Sequence, residues 1–264
     1  MGGQVVTITS GKGGVGKTTT TANLGVALAR RGQRVACIDA DIGLRNLDVV
    51  LGLENRIVYD LVDVVEGRAR TRQAMIKDKR LPELQLLPAA QKRDKTAVTE
   101  KQMIKLGEEL RKEFDFILID SPAGIESGFK YSIAPADLVI VVVTPEVSSV
   151  RDADRVIGLV EAQEKPPPKL IINRMRPSMV KRGDMLATSD VLEILSIDLL
   201  GIVPEDEAII TSTNKGHPVA LEDHSPAGAA FTRIARRMLG EDVPFLVLDD
   251  SIGLMDRFAR IFRR

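Results

Sequence analysis

Cysteine, histidine and net charge are all scarce in this sequence, and each shortage excludes a class of function. Cys37 is the only cysteine, so one chain cannot form a disulfide framework or ligate a metal cluster unless a symmetric partner supplies a second thiol. The apolar residues around Cys37 indicate a small buried side chain. We assign no metal role to either histidine, His217 or His224. Acidic and basic residues balance at 37 each, which favours neither a nucleic acid nor an acidic partner.

Long apolar runs are missing as well. No stretch reaches the ~20 residues that a membrane-spanning helix requires, and no cleavable leader is visible at the start of the chain. Position six is Val6, whereas an N-myristoylation signal favours serine or threonine there. We therefore expect a cytoplasmic protein.

The order of apolar runs predicts the fold. Short β-branched runs alternate with longer helical patterns, which is typical of an α/β protein with a doubly wound, mostly parallel sheet flanked by helices. Several runs, such as 139–143, are apolar without alternation, as expected for strands covered on both faces. This rhythm stops near Gly240. We therefore divide the chain into a domain over 1–240, a linker over 241–251 and a C-terminal amphipathic helix over 252–264.

The predicted elements are the following. Strands are expected at Gln4–Thr9, Arg34–Ile38, Leu84–Pro88, Phe116–Ile119, Leu138–Val143, Lys169–Ile172 and Leu199–Val203. Helices are expected at Lys17–Arg31, Thr99–Phe114, Val150–Gln163, Ser189–Leu195 and Pro226–Leu239.

A phosphate-binding loop follows the first predicted strand. The pattern consists of Gly11, Lys12, Gly13, Gly14, Val15, Gly16, Lys17 and Thr18, with Thr19 after it. Glycines allow the backbone to turn successive N–H groups toward one anion, and the following helix presents its positive dipole end to the same phosphates. Lys17 would neutralise the β- and γ-phosphates, and the Thr18 hydroxyl would ligate Mg²⁺. The sequence therefore predicts a nucleoside triphosphate and Mg²⁺ as ligands.

Three aspartates stand at the ends of predicted strands. Asp120 ends the apolar run from Phe116, which is the Walker B arrangement that places a carboxylate beside Mg²⁺. Asp39 and Asp41 follow the second strand, and parallel sheets bind ligands at the carboxyl ends of their strands. Loop solvation alone would explain one such aspartate, but it explains three less well.

The lysine early in the loop indicates a family. Lys12 gives the string Lys-Gly-Gly-Val-Gly-Lys-Thr, which resembles the deviant Walker A motif of the MinD/ParA class of ATPases. The resemblance implies that Lys12 reaches across a nucleotide-sandwich homodimer to the partner's phosphates and acts as an arginine finger does. It also implies that Asp41 orients the attacking water and that Asp39 supports the Mg²⁺ shell. From the residues alone, Lys12 could instead be a solvent-facing loop lysine.

The nucleotide is expected to be ATP. The guanine-reading Asn-Lys-x-Asp pattern is absent, because Asn214-Lys215 is followed by Gly216-His217. In the MinD/ParA class two strand ends hold adenine, and the resemblance places Asn173, Pro204 and Asp206 in that role.

The resemblance covers nearly the whole chain and narrows to the septum-site-determining branch of the class, MinD. The segments that carry it are Asp41–Asp48, Asp120–Glu126, Pro145–Asp152, Val191–Leu195 and Val203–Asp206. It implies an ATP-dependent dimer that binds the cytoplasmic face of the inner membrane, recruits the division inhibitor MinC and is stimulated by MinE. Phe129-Lys130-Tyr131 is bulkier than is usual in the branch, which affects the contacts of the second switch.

The same resemblance places a partner-binding face on the helix that opens at Ser148–Asp154. Its candidate residues are Ser148, Asp152 and Asp154. From the residues alone, these side chains could be an exposed helix start with acids near its positive dipole end.

The C-terminal residues form a basic amphipathic pattern. At ~100° per residue one apolar side falls within an arc of about 120°, and it consists of Leu254, Met255, Phe258, Ile261 and Phe262. Four arginines occupy the other side, which is typical of a helix lying in the membrane interface. The alternative is a terminal helix docked on the core. We expect binding to anionic lipids and no binding to nucleic acid.

Two relatives with a similar motor remain as alternatives. A ParA-like partitioning ATPase would need a basic surface for DNA, whereas the positive excess here gathers on the C-terminal helix. A flagellar-number regulator like FlhG would share both the motor and the membrane helix. An ATPase of the nitrogenase iron-protein type is excluded, because it needs two cysteines per chain.

Overall fold

The computed structural model of the protein describes residues 2–222 and 224–245. Within these residues, eight strands form one sheet in the order β3-β4-β2-β5-β1-β6-β7-β8. Their bounds are β1 Gln4–Thr9, β2 Val35–Asp39, β3 Ile76–Lys77, β4 Leu84–Leu87, β5 Phe116–Asp120, β6 Leu138–Val143, β7 Lys169–Met175 and β8 Asp198–Pro204. All neighbours pair in parallel except β3 and β4, which are antiparallel. The predicted fold class is confirmed.

The helices in the described residues are α1 Lys17–Ala29, α2 Leu47–Leu51, α3 Leu61–Val65, α4 Thr71–Ala74, α5 Glu100–Leu110, α6 Ser127–Ile133, α7 Val147–Ala162, α8 Pro177–Arg182, α9 Thr188–Leu195, α10 Ala208–Asn214 and α11 Pro226–Met238. The five predicted helices are found with ends shifted by a few residues. None of the described helices is long and apolar enough to cross a membrane.

Two helical layers cover the sheet. One apolar cluster joins α1, α2 and α11 to strand residues such as Val6 and Ile140. The strand neighbours Val5 and Val141 belong to clusters with α5 and with α7, respectively. Successive side chains of a strand point to opposite faces, so α1 and α11 lie on one face of the sheet, and α5 and α7 lie on the other. Both faces are therefore buried, as the unbroken apolar runs predict.

Local signals explain where the longer helices begin. Thr99 caps α5 by accepting the N–H of Gln102, and Ser225 caps α11 by accepting the N–H of Gly228.

Cys37 is buried, as predicted, with its sulfur directly under α1. A Cβ on Gly25 of α1 would come within 2.7 Å of that sulfur, so glycine permits the close packing of helix and strand. Burial also raises the pKa of the Cys37 thiol, which keeps it protonated.

The topology determines where a ligand can bind. β1 lies between β5 and β6; the chain leads from β1 to β2 in one half of the sheet and later crosses from β5 to β6 in the other half. In open parallel sheets this reversal leaves a crevice at the carboxyl ends of the strands. We call this side of the sheet the nucleotide edge, since the phosphate loop at residues 10–16 leaves β1 there.

Candidate functional site

The phosphate loop has the backbone that an anion cradle requires. Gly14 and Gly16 have φ angles of 78° and 100°, a region that favours glycine. Lys17 opens α1 directly after Gly16 and is 8% exposed. Its ammonium donates to the Ser10 hydroxyl at 3.0 Å, which holds the side chain back over the loop. The predicted loop therefore brings backbone, helix dipole and Lys17 together at one point.

Lys17 carries a charge that a phosphate would stabilise. Burial lowers the pKa of Lys17, and the negative charges of Asp120 and Asp41 oppose that shift. An ammonium buried in this way gains most from an anion bound against it. The environment of Lys17 thus fits a triphosphate.

Asp39 and Asp120 stand side by side at the nucleotide edge. The two residues are register partners on β2 and β5, and both are buried. Burial raises the pKa of Asp120, and the negative charge of Asp39 raises it further. Burial raises the pKa of Asp39 as well. Ionisation of these two buried neighbouring carboxylates is unfavourable, and a divalent cation bound beside them would compensate their negative charge.

The two carboxylates differ in what they contact. Asp39 accepts backbone N–H groups of Asp41, Asn46 and Leu47 at 3.0 to 3.1 Å, and these bonds shape the loop over 40–46. We call this segment the switch loop. Asp120 accepts instead from the Thr21 hydroxyl at 3.4 Å.

The protein supplies few direct metal ligands. Within residues 2–222 and 224–245, no group of three or more His, Cys, Asp or Glu side chains is arranged to hold a metal ion. Mg²⁺ often takes one or two protein groups together with substrate phosphates and water. The Thr18 hydroxyl and Asp120 fit that pattern beside the phosphate loop.

Asn173 contacts the phosphate loop directly. Its amide nitrogen donates to the carbonyl of Val15 at 2.8 Å, and a Cβ on Gly16 would lie 2.3 Å from that nitrogen. Its amide oxygen is buried and has no hydrogen-bond partner among the described residues. A buried acceptor of this kind is costly unless a ligand donates to it. Asn173 therefore offers a buried acceptor that a donor on a ligand could satisfy.

The other two residues predicted to hold adenine follow β8. Pro204 is the buried last residue of the strand. Asp206 accepts the Ser225 hydroxyl at 2.7 Å and the Ala227 N–H at 3.2 Å, and its other oxygen accepts the Ala208 N–H at 2.9 Å. These contacts make Asp206 a joint between the starts of α10 and α11, which fixes the loop beside Pro204.

The start of α7 packs on the phosphate loop. The Lys12 ammonium lies 3.3 Å from the Ser148 hydroxyl and 3.9 Å from the Glu146 carboxylate. A Cβ on Gly11 would lie 2.3 Å from the carbonyl oxygen of Asp152. The helix predicted to bind partners is thus in direct contact with the loop predicted to bind phosphate.

The three predicted partner-binding residues do not share one stripe of α7. Ser148 and Asp154 are exposed, and Asp152 is partly buried. Ser148 and Asp152 are four residues apart and lie on the same side of the helix, whereas Asp154 points elsewhere. A partner that contacts all three has to wrap around the helix.

Sequence reasoning missed several supporting residues. Of the bulky segment over 129–131, Phe129 and Tyr131 are buried, and the Tyr131 hydroxyl on α6 donates to the carbonyl of Ala40 at 2.6 Å, which supports the switch loop. Arg45 forms an ion pair with the buried Asp48 at 2.9 Å. Glu146 also carried no local signal, because its contact with Lys12 is distant in sequence, and Ser10, which holds Lys17, lies just before the motif and outside its pattern.

Four exposed apolar side chains surround the nucleotide edge, each four to six residues beyond the end of a strand. We call them the apolar ring: Leu44, Ile125, Val147 and Ile210, with exposed fractions of 62%, 46%, 62% and 66%. Exposed apolar residues gathered around a polar site are typical of an interaction surface.

The predicted membrane residues lie outside the described residues. They are Leu254, Met255, Phe258, Ile261 and Phe262. The described chain ends at Phe245, whose ring lies 4.1 Å from the Arg237 guanidinium carbon.

Comparison with known proteins gives consistent relatives. Residues 6–219 match the family described as the CobQ/CobB/MinD/ParA nucleotide binding domain. The septum site-determining protein MinD of Bacillus subtilis is 54% identical over 263 residues, which is 98% of each chain.

Two solved structures are also similar. The chain is similar to that of a MinC:MinD cell division protein complex from Aquifex aeolicus, with a TM-score of 0.86, 51% identity and coverage of 91% of this chain and 98% of that one. It is also similar to the septum site-determining protein MinD of Pyrococcus horikoshii complexed with Mg-ADP, with a TM-score of 0.80, 28% identity and coverage of 95% and 98%.

Proposed function

Because the chain belongs to the CobQ/CobB/MinD/ParA nucleotide-binding family, and within it to the septum site-determining MinD proteins, we propose that it is an ATP-hydrolysing molecular switch. ATP brings two copies together, and the dimer binds the cytoplasmic face of the inner membrane. There it recruits the division inhibitor MinC and hydrolyses ATP in response to MinE. The switch positions the septum.

The two lysines of the phosphate loop carry this proposal. Lys17 is 8% exposed and directed at the site, whereas the Lys12 side chain is 46% exposed and lies against Ser148 and Glu146. Because the Lys12 ammonium does not bind the phosphates of the nucleotide held by its own chain, it is available to the phosphates held by a second copy. Such a charge in trans stabilises the transferring phosphoryl group.

The apolar ring supports the dimer. Its four members follow β2, β5, β6 and β8, so they surround the nucleotide on several sides. A second copy that approached the nucleotide edge would bury them and exclude water from the phosphates. Burial of the ring favours association, and exclusion of water strengthens the contacts of each Lys12 with a nucleotide held between the two copies.

The remaining site residues have separable tasks in hydrolysis. Lys17 and the loop N–H groups hold the phosphates, and Thr18 and Asp120 would hold Mg²⁺, which neutralises charge on the β- and γ-phosphates. Asp39 fixes the switch loop through its three backbone contacts. Asp41, at the start of that loop, would orient the attacking water.

Nucleotide choice tests the role of Asn173. Its unpaired amide oxygen accepts from the exocyclic amine of adenine, whereas guanine presents a carbonyl at the same ring position. We expect ATP to bind more tightly than GTP by at least about 1.4 kcal/mol, a factor of ten. Competition binding against a fluorescent nucleotide measures the ratio.

Asn173→Leu should reduce this preference, since it removes the acceptor. Asn55→Leu makes the same change at an exposed position and serves as the matched control. Equal affinity for ATP and GTP in the unmodified protein would remove the adenine assignment.

The partner face is tested on α7. The related MinD structure from Aquifex aeolicus is a complex with MinC, and we propose that α7 is the corresponding docking element here. Asp152→Ala should abolish stimulation of the ATPase by a cognate MinE and leave ATP-dependent dimerisation intact. Glu161→Ala, in the last turn of the same helix, is the control and should be stimulated normally. Full stimulation of Asp152→Ala, with normal MinC recruitment, would show that Asp152 is an ordinary carboxylate near a helix start and not a partner contact.

A further inference from the structure

A basic groove lies between α1 and α11, far from the phosphate loop. It encloses about 620 Å³, and the cationic side chains that line it are Arg30, Arg31, Arg233 and Arg236. Glu222 is the carboxylate in its lining. We call this surface the arginine groove. α1 contributes its last turn and the two arginines after it, whereas α11 lines the groove from Gly228 in its first turn to Arg236 in its last.

Three arginines of the groove, Arg31, Arg233 and Arg236, have a single carboxylate as ion-pair partner among the described residues. Arg31 and Arg236 share one carboxylate, Glu241, at 3.2 Å and 2.7 Å. Arg233 forms no ion pair with any carboxylate in the described part of the chain. Burial lowers the pKa of the neighbouring Arg237, and the positive charge of Arg233 lowers it further. The groove is therefore a surface on which like charges repel and an anion would be stabilised.

Favourable interaction with helix ends does not account for all of these arginines. A cation in the last turn is stabilised by the helix dipole, which explains Arg236 and Arg237 at the end of α11. Arg233 stands one turn earlier, where the dipole contributes little. Its guanidinium adds charge to the groove without a structural partner to explain it.

The last described residues of the chain lie beside this groove. Glu241, held by Arg31 and Arg236, is four residues before Phe245, so the two are separated by at most about 14 Å of extended chain. Arg237 fixes the path between them by donating to the carbonyls of Val243 at 3.0 Å and Pro244 at 2.8 Å. Its side chain also donates to the carbonyl of Leu200 on β8 at 2.9 Å. The last described residues are thus held against β8 and α11.

We propose that the arginine groove binds the phosphate of an anionic phospholipid headgroup. It would be a second membrane contact, close to Phe245, after which the C-terminal segment begins. This rests on the proposed membrane binding of that segment. Lipid is favoured over a free anion because the groove adjoins the start of a segment whose sequence is basic and amphipathic. It is favoured over nucleic acid because the four arginines line one groove of about 620 Å³ instead of a strip that could follow a phosphate backbone.

The test compares two charge reversals in the full chain with ATP. Arg233→Glu changes the groove, and Lys112→Glu makes a similar change at an exposed position just beyond α5, on the other face of the sheet. Retention is titrated on phosphatidylcholine vesicles with and without phosphatidylglycerol. Since a basic residue near an anionic surface contributes about 1 kcal/mol, Arg233→Glu should bind anionic vesicles at least about fivefold more weakly than Lys112→Glu. Arg233→Gln, the milder change, should lie between wild type and Arg233→Glu, and all three variants should bind ATP normally.

The outcomes separate the possible errors. Equal retention of Arg233→Glu and Lys112→Glu on anionic vesicles would overturn the groove as a lipid contact. If inorganic phosphate raises the Tm of wild type but not of Arg233→Glu, while vesicle binding is unchanged, the groove binds a soluble anion instead. If Arg233→Glu weakens retention on duplex DNA and not on vesicles, the partner is a nucleic acid. Failure of wild type to bind any vesicle would contradict the proposed membrane function itself.

Discussion

Replacing Lys17 with alanine should weaken ATP binding at least about 100-fold, whereas replacing Lys12 should change it less than about threefold. Lys17 is buried against the phosphate loop, so its removal leaves triphosphate charge uncompensated in a site with little water. Lys12 lies outside that site, and its contacts with Ser148 and Glu146 are exposed. Exposed ion pairs contribute less than about 1 kcal/mol, so the fold should not change.

The defect of Lys12→Ala should appear after binding. A cation supplied in trans to a phosphoryl group accelerates hydrolysis by about 10³-fold or more, so this variant should bind ATP and fail to dimerise or hydrolyse it. Titration with a fluorescent ATP analogue measures binding, and phosphate release measures turnover. Equal loss of affinity in both variants would remove the case for a role in trans.

The second large effect concerns membrane attachment. Deletion of residues 252–264, or Phe258→Glu, should abolish ATP-dependent retention on anionic vesicles and leave ATP binding intact. Burial of five apolar side chains at up to ~1.5–3 kcal/mol each is offset by ordering entropy of ~1–2 kcal/mol per residue. One copy of the segment should therefore hold weakly, and two copies on a dimer should hold ~10²-fold or more strongly through avidity.

Phe258→Leu is the control for that experiment, because it retains an apolar side chain at the same position. Retention should fall as salt rises, since the arginines of the segment are screened. Equal retention with ATP and with ADP would show that dimerisation does not control the membrane, and the switch mechanism would then fail.

The structure also indicates how a partner could influence the nucleotide. α7 contacts the phosphate loop twice, through Ser148 on Lys12 and through the backbone of Asp152 on Gly11. In the proposed switch, a protein docked on α7 acts directly on Lys12, the lysine needed in trans, because Lys12 contacts Ser148 on that helix. The coupling is short because helix and loop are in van der Waals contact.

The sheet and the phosphate loop were predictable from sequence for physical reasons. Buried parallel strands need unbroken apolar runs, and seven such runs were identified with ends within a few residues. β3, at Ile76–Lys77, has two residues at the sheet edge and is too short to show a pattern. Helices such as α2 and α6, of five and seven residues, likewise contain too few turns for periodicity.

Contacts between distant segments could not be predicted in the same way. The bond from Asn173 to Val15 joins residues 158 apart, and the packing of Gly11 on Asp152 depends on the angle of a whole helix. The joint at Asp206 depends on the approach of α11 to the end of β8. A motif identifies the chemistry of such residues, but their partners follow only from the assembled sheet.

The nucleotide dependence of molecular mass tests the central claim most directly. Sedimentation equilibrium of the full chain with Mg²⁺ and a non-hydrolysable ATP analogue should give twice the 28.8 kDa of one chain. The same protein with ADP, and Lys12→Ala with either nucleotide, should give 28.8 kDa. A mass that does not differ between the ATP analogue and ADP would contradict the proposed switch.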